Sequence, residues 1–431
     1  MDSAPQDWGR LHVNQKCCGT MVCRNFAPEL LGEVAPSLDE AGAGVGKGQR
    51  VLPGSHDQGA FTGVIRQPQN KTEYLAARTA AAACPFTAIQ LDKPAPGLVP
   101  SSELGSPWRD WPKRLEGTVW VMGHPSPRNF GALAFFIERP GGNVLVDCPK
   151  PSEELFRWLE THGGIRWLFL THRDHVQHHA EFAARFPECR RVMGAAEVNK
   201  RRTAYADATD AVEIQLASDR GPMTLDGVPI PEDELANADL ALLPQPGHTP
   251  GGFCLAYQGR FLFTGDHLSY SRRLGHIVAP RLQCWEDWER QCRAVNQLAI
   301  WAAAGQLRFQ WLLPGHGEWH RLEGDGSAAV TSAELERAVD WMKRQPPGHV
   351  PLLMWIPYVL SRTNPRGWLG RFVRTVGGKA GEAWVIPRAA RRYLVDYDAA
   401  ATDAAIRRLY WFGATAFATI SLIVWLATRA L

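Results

Sequence analysis

Residues Leu170–Ala180 read LTHRDHVQHHA, so that His172, His175, His178, His179 and Asp174 follow the apolar run Trp167–Leu170 directly. A strand that ends in a turn can present closely spaced imidazoles to one cation, because the turn curls their backbones around a point. Three further segments share this form, with a ligand-type residue where a strand-like run gives way to a Gly-containing turn. They are PQPGHTPGG with His248, FLFTGDHL with Asp266 and WLLPGHGEW with His316. A carboxylate at the end of a strand can bridge two cations and acidify a water between them. A lone His after Gly is most often only a turn residue. Four such segments on strand ends point to a metal centre.

Outward from that stretch, residues 116–321 alternate strand-like runs (VWVM, LAFFI, NVLVD, WLFLTH, RFLFTGD, WLLPGH) with helix-like ones such as Glu153–His162 and Glu286–Ala304. This is α/β patterning. Residues 1–95 form a separate region that ends in the alanine-rich, helix-like stretch Glu73–Ala83 and then Cys84-Pro85. Residues 96–115 are rich in Pro, Ser and Gly and read as a linker. Residues 322–405 read as a helical, basic extension. Within it, RGWLGRFVR at 366–374 suits either a solvated amphipathic helix or contact with a membrane surface. Residues 409–428 carry no charge and have Trp411 and Trp425 near their ends. They read as a C-terminal transmembrane helix, with a terminal helix packed on protein as the alternative.

The order of the metal-type segments resembles the metallo-β-lactamase fold superfamily, whose pattern runs from H-x-H-x-D-H through a Gly-His turn and a strand-end Asp to a final Gly-His turn. The resemblance covers residues 116–321 and implies an αββα sandwich with the centre at the strand ends. It also implies a supporting role for Asp147, which closes the run NVLVD. The first loop resembles a longer branch of the family, H-R-D-D-x-x-D-H. That alignment implies His172, His175 and His248 around one metal, and His178, His179 and His316 around a second. Asp266 stands between the two. Asp174 is an alternative ligand to His175 or an orienting group. His267 is a candidate proton donor, and His124 a candidate cleft residue. Imidazole-rich ligation with a carboxylate suits two divalent ions, whether zinc, iron or manganese.

The chain has nine cysteines, an odd number, and its first 25 residues hold no apolar run long enough for a signal peptide, so the expectation is reduced thiols in a cytoplasmic setting. Three of the nine, Cys17, Cys18 and Cys23, crowd together, and Cys84 precedes a proline. The pattern resembles a single-cluster ferredoxin domain, α+β in fold, in which Cys17, Cys23 and Cys84 match ligand positions while Thr20 occupies another. The resemblance implies an iron–sulfur site of one of three kinds. It could be [3Fe-4S] on three cysteines, [4Fe-4S] with Cys18 substituting, or a domain that kept its shape and lost the cluster.

The full chain of 431 residues is 45% hydrophobic and 21% charged, enough to bury a sizeable core. Its 47 Lys and Arg against 44 Asp and Glu leave a net charge of +3, which argues against a nucleic-acid partner. The first expectation for function is a metal-dependent hydrolase that attacks an ester, thioester, lactone or amide of a small-molecule substrate with metal-bound hydroxide. A second is an iron-dependent oxidoreductase fed by the N-terminal cluster and served by an electron-transfer partner. A third is a non-catalytic redox or iron sensor, anchored on the cytoplasmic side of a membrane by its C-terminal helix.

Overall fold

A computed structural model describes residues 6–14, 17, 19–34, 61–199, 207–272, 274–281, 284 and 286–345. Cys18, the basic segment 366–374 and the candidate span 409–428 lie outside those residues. Among the described residues no helix is long and apolar enough to cross a membrane. The chain divides into the units Met1–Lys343 and Arg344–Leu431, and the following concerns the first.

Seven strands make one sheet in the order Ile214–Leu216, Arg190–Gly194, Trp167–Leu170, Val144–Val146, Phe135–Ile137, Val119–Val121 and Lys113–Glu116. The first four run parallel and the rest pair antiparallel. A second sheet holds Leu240–Pro244, Phe253–Tyr257, Phe261–Gly265, Trp311–Pro314 and His320–Arg321 in that order. Side chains on a strand alternate between faces, and that period sorts the apolar residues into three layers of core. Phe135, Ile137, Phe169, Leu242 and Phe263 point inward and fill the space between the sheets. Their neighbours Phe136, Leu168 and Leu170 point outward onto Leu155, Leu159 and Phe182 of the helices Glu153–Thr161 and His179–Arg185. On the opposite side Leu243 and Leu262 meet Val295, Leu298, Leu335 and Met342 of the helices Trp288–Ala303 and Ala328–Lys343. The architecture is the four-layer αββα sandwich.

Two helix starts show how the sequence sets these layers. Ser152 accepts a hydrogen bond from Leu155 N, and Asp287 accepts one from Arg290 N, each satisfying an otherwise orphaned donor of the first turn. The helix Ala328–Lys343 lies in the region read as a basic extension, yet it completes the outer layer. Leu335, Ala338, Val339 and Met342 recur at helical spacing and are buried in the core.

The N-terminal lobe is a small α+β unit. Leu11–Val13 pairs antiparallel with Ile89–Leu91, and Leu31–Val34 with Phe61–Val64. The helix Lys71–Ala83 starts at Asn70, whose side chain accepts from Glu73 N. Leu11, Leu30, Leu31, Ala77, Ala80 and Ile89 form its core. The segment read as a linker is packed rather than loose. Arg78 donates to the carbonyls of Glu103, Leu104 and Gly105, and Lys113–Glu116 joins the large sheet as its edge strand. Trp108 and Trp111 sit edge-on to Phe26, which brings the lobe against the sandwich.

Candidate metal centre

Five turns leave the sheets at the carboxyl ends of strands that run in one direction. Asp147 follows Val144–Val146, and His172 follows the parallel strand Trp167–Leu170. Asp266 follows Phe261–Gly265, and His316 follows the parallel strand Trp311–Pro314. His248 follows Leu240–Pro244. Parallel strands end on the same edge, so residues far apart in sequence meet there. Asp266 lies at the middle. Its carboxylate stands 3.6 Å from His172 Nε2, 4.0 Å from His248 Nε2, 3.4 Å from His175 Nε2 and 2.9 Å from His316 Nδ1. Two groups able to hold a metal share it, His172–His248–Asp266 and His175–Asp266–His316, each with ligand atoms within 4.8 Å of one another. All five residues are buried.

The outward hydrogen bonds of three imidazoles decide where their protons sit. A carbonyl oxygen can only accept, so His316 Nε2, 3.1 Å from Asn129 O, carries its proton there. His175 Nδ1 donates to Asp147 Oδ2 at 2.9 Å. Thr171 Oγ1 donates to the same carboxylate and therefore accepts from His172 Nδ1 at 3.0 Å. Each ring thereby aims its other nitrogen at Asp266. A lone pair facing a carboxylate is repulsive, and a cation between them turns the contact attractive. His172 Nε2 is buried with no hydrogen-bond partner, as a ligand atom would be. The field agrees. Burial opposes charge on His175, yet Asp266 and Asp147 outweigh it and hold this imidazole well above its ordinary range, so that a proton at Nε2 supplies the positive charge a bound cation would replace. Burial likewise opposes charge on Asp266, but His316 and His175 hold its carboxyl well below the carboxylate range. The residues present fit a divalent cation.

Asp147 is the support for both groups. It accepts from Thr171 N, Thr171 Oγ1 and His175 Nδ1 from a left-handed backbone, φ 57°. Asp174 stands on the more open side, 3.8 Å from His172 Nε2 and 3.9 Å from His248 Nε2. It is thus Asp174 that neighbours both of those rings, while His175 turns to His316, 3.3 Å from its Nδ1.

The distribution of the first loop needs correction. His178 and His179 do not join the cluster, because other groups already occupy their ring nitrogens. His178 lies 2.8 Å from Ser126 Oγ and 2.8 Å from Glu181 Oε1. His179 Nε2 donates to Ala208 O, and its Nδ1 accepts from Arg191. The short turn Arg173–His175 delivers His175 to the centre before the helix at His179 begins. His267 also changes role. Burial, with the charge of His172 behind it, pushes its imidazole down to about 3, so it holds no extra proton to donate near neutral pH. It lines a cleft with Thr171, Gln245 and Thr249 beside the centre. His124 lies at a tilt against Trp108, ring centroids 5.5 Å apart, and is in neither ligand group.

Sequence reasoning missed Thr171 and Asn129. The first could have been found, since it sits between a strand and His172 and is the one hydroxyl there. Asn129 acts through its carbonyl, which leaves no trace in residue type.

A shared-carboxylate centre at the mouth of an αββα sandwich defines the class of site. No protein-family model matches the sequence, and no curated protein does. The solved structures to which the chain is similar are metallo-beta-lactamase superfamily structures. One is the mono-zinc form of the metallo-beta-lactamase FIM-1 from Pseudomonas aeruginosa, 20% identical, covering 53% of this chain and 95% of that one, TM-score 0.35. Another is a metallo-beta-lactamase from Pontibacter korlensis, 18% identical, covering 52% and 97%, TM-score 0.32. A third is an archaeal superfamily protein from Sulfolobus tokodaii, 13% identical, covering 48% and 79%, TM-score 0.31.

Proposed function

We propose that the protein is a metal-dependent hydrolase acting on a small molecule with an ester, thioester, lactone or amide bond. One observation carries the reading: His172, His175 and His316 each fix one proton outward and aim the other nitrogen at the buried Asp266. Divalent ions held there would acidify a water and polarise an acyl oxygen. His172, His248 and Asp266 would hold one ion, with Asp174 close by, and His175, Asp266 and His316 the other. Asp147 and Asn129 orient the rings and fix their tautomers, which is the outer support such centres need. Asp174, partly exposed, is the group in reach of a substrate entering from solvent.

The test is hydrolysis of the four bond classes by protein loaded with zinc, manganese or ferrous iron. Turnover of at least one class, lost in Asp266→Asn and lost on chelation, is expected. Metal-loaded protein inert towards all four would overturn the reading. Iron-dependent redox chemistry is a second reading, favoured by Cys17, Cys23 and Cys84, which line one cleft with Thr20, whose carbonyl accepts from Gly317 N next to His316.

A further inference from the structure

The strand Arg190–Gly194 runs parallel to Trp167–Leu170, with Met193 opposite Leu170, so the turns that follow the two strands leave the sheet on one edge. The turn after Gly194 reverses the usual order of burial. Ala195 and Ala196 face solvent, while Glu197 turns inward and is 2% exposed. An inward carboxylate is costly unless hydrogen bonds or a cation offset it. Glu197 Oε2 accepts from Arg173 N at 2.9 Å, and its Oε1 accepts from Gly251 N. Among the described residues no cationic side chain pairs with it.

Those two N–H groups belong to the two turns that carry the imidazoles of one ligand group. Arg173 lies between His172 and Asp174, and Gly251 lies three residues after His248. The close approach is built into the backbone. A Cβ on Gly194 would sit 1.9 Å from Gly251 O, and one on Gly251 would sit 2.9 Å from Ala196 Cβ. The turns are tied a second time where Phe253 N donates to Thr171 O at 3.0 Å. Held in this way, the rings of His172 and His248 stand with centroids 5.0 Å apart and planes at 74°. The other group takes its support elsewhere. His175 leans on Asp147, and His316 on the Asn129 carbonyl.

We propose that Glu197 is the positioning residue of the His172–His248–Asp266 group. It sets the span between the two imidazoles, and its negative charge, screened little in a buried setting, favours a cation between them. The proposal rests on the metal-centre reading above.

The experiment uses the full chain in two backgrounds that each keep one group. His316→Ala leaves His172–His248–Asp266, and His248→Ala leaves His175–Asp266–His316. Manganese(II), which thiolates hold poorly, is the probe, and the electron paramagnetic resonance of the free ion reads its affinity. Glu197→Gln keeps the size of the side chain, removes its charge and turns an amide N–H towards one of the two donors. It should weaken manganese binding about 10- to 100-fold in the His316→Ala background and by less than about two-fold in the His248→Ala background. Glu197→Asp keeps the charge but draws the carboxylate back by one methylene, and it should weaken the same background only. A role confined to fold stability would weaken both alike. Equal losses in the two backgrounds, or unchanged affinity in the His316→Ala background, would overturn the proposal. Wild-type chain whose manganese binding Asp266→Ala leaves unchanged would instead sink the metal-centre reading, and the assignment of Glu197 with it.

Discussion

Asp266 is the residue both ligand groups share, so its replacement and that of a peripheral ligand should differ. Asp266→Ala is expected to empty both groups, whereas His248→Ala should empty only the group with His172. Metal content after dialysis measures both, and unchanged content in either variant would refute the ligand assignment. His179→Ala should behave oppositely and keep its metal. It removes the acceptor of a buried Arg191 bond and should lower stability by about 1–3 kcal/mol in a denaturant melt. Acid should release metal from the wild type. Ligand imidazoles bind cations only when unprotonated, so protons compete as pH falls, first at His175, which Asp266 and Asp147 hold well above its ordinary range. Retention plotted against pH that rises on acidification would contradict the site. At this scale the ligand types were legible, because His and Asp after a strand have few other reasons to cluster. Their partition was not, because four imidazoles in one loop satisfy any alignment and only the turn Arg173–His175 selects among them.

At the scale of elements, the strand-end turns were readable for a plain reason: Gly breaks the strand and a ligand follows. Gly315 shows why it must be Gly. A Cβ there would sit 2.4 Å from His175 Cε1, with Asp266 Oδ1 also close. Gly315→Ala should therefore displace His175 and weaken metal binding by about 10- to 100-fold, as loss of a supporting contact does. Equal affinity in chelator competition would show that the ring has room to give. Two elements were harder to see. Lys113–Glu116 is an edge strand with Lys113 and Arg114 exposed, so it has no apolar alternation to betray it. The helix Ala328–Lys343 carries small residues on its buried face and blends into a polar context. Its place in the core predicts that Leu335→Ala costs about 2–5 kcal/mol while leaving metal content intact. A neutral result in a urea melt would detach that helix from the fold.

For the molecule as a whole, the bond between the N-terminal lobe and the sandwich left no trace in the sequence. Asn25 and Gly317 are 292 residues apart, and no local pattern links them. Apolar periodicity reports which face of an element is buried, not which distant turn its polar tip will hold. Phe26 at the hub of Trp108, Trp111 and Trp319 shows the same limit, since an aromatic after a cysteine motif reads equally well as core of its own lobe.

The carboxylate of Asp147 has a consequence for how the centre fills. Through Thr171 it steadies the ring of His172, and directly it steadies that of His175, so one side chain is a common mount for two coordination pockets. If an ion entering either pocket tightens the mount, a second ion would arrive where ordering is already complete. Titration should accordingly pass from apo to doubly loaded protein with little half-filled species, and stepwise filling with two independent constants would show that the mount is rigid from the outset.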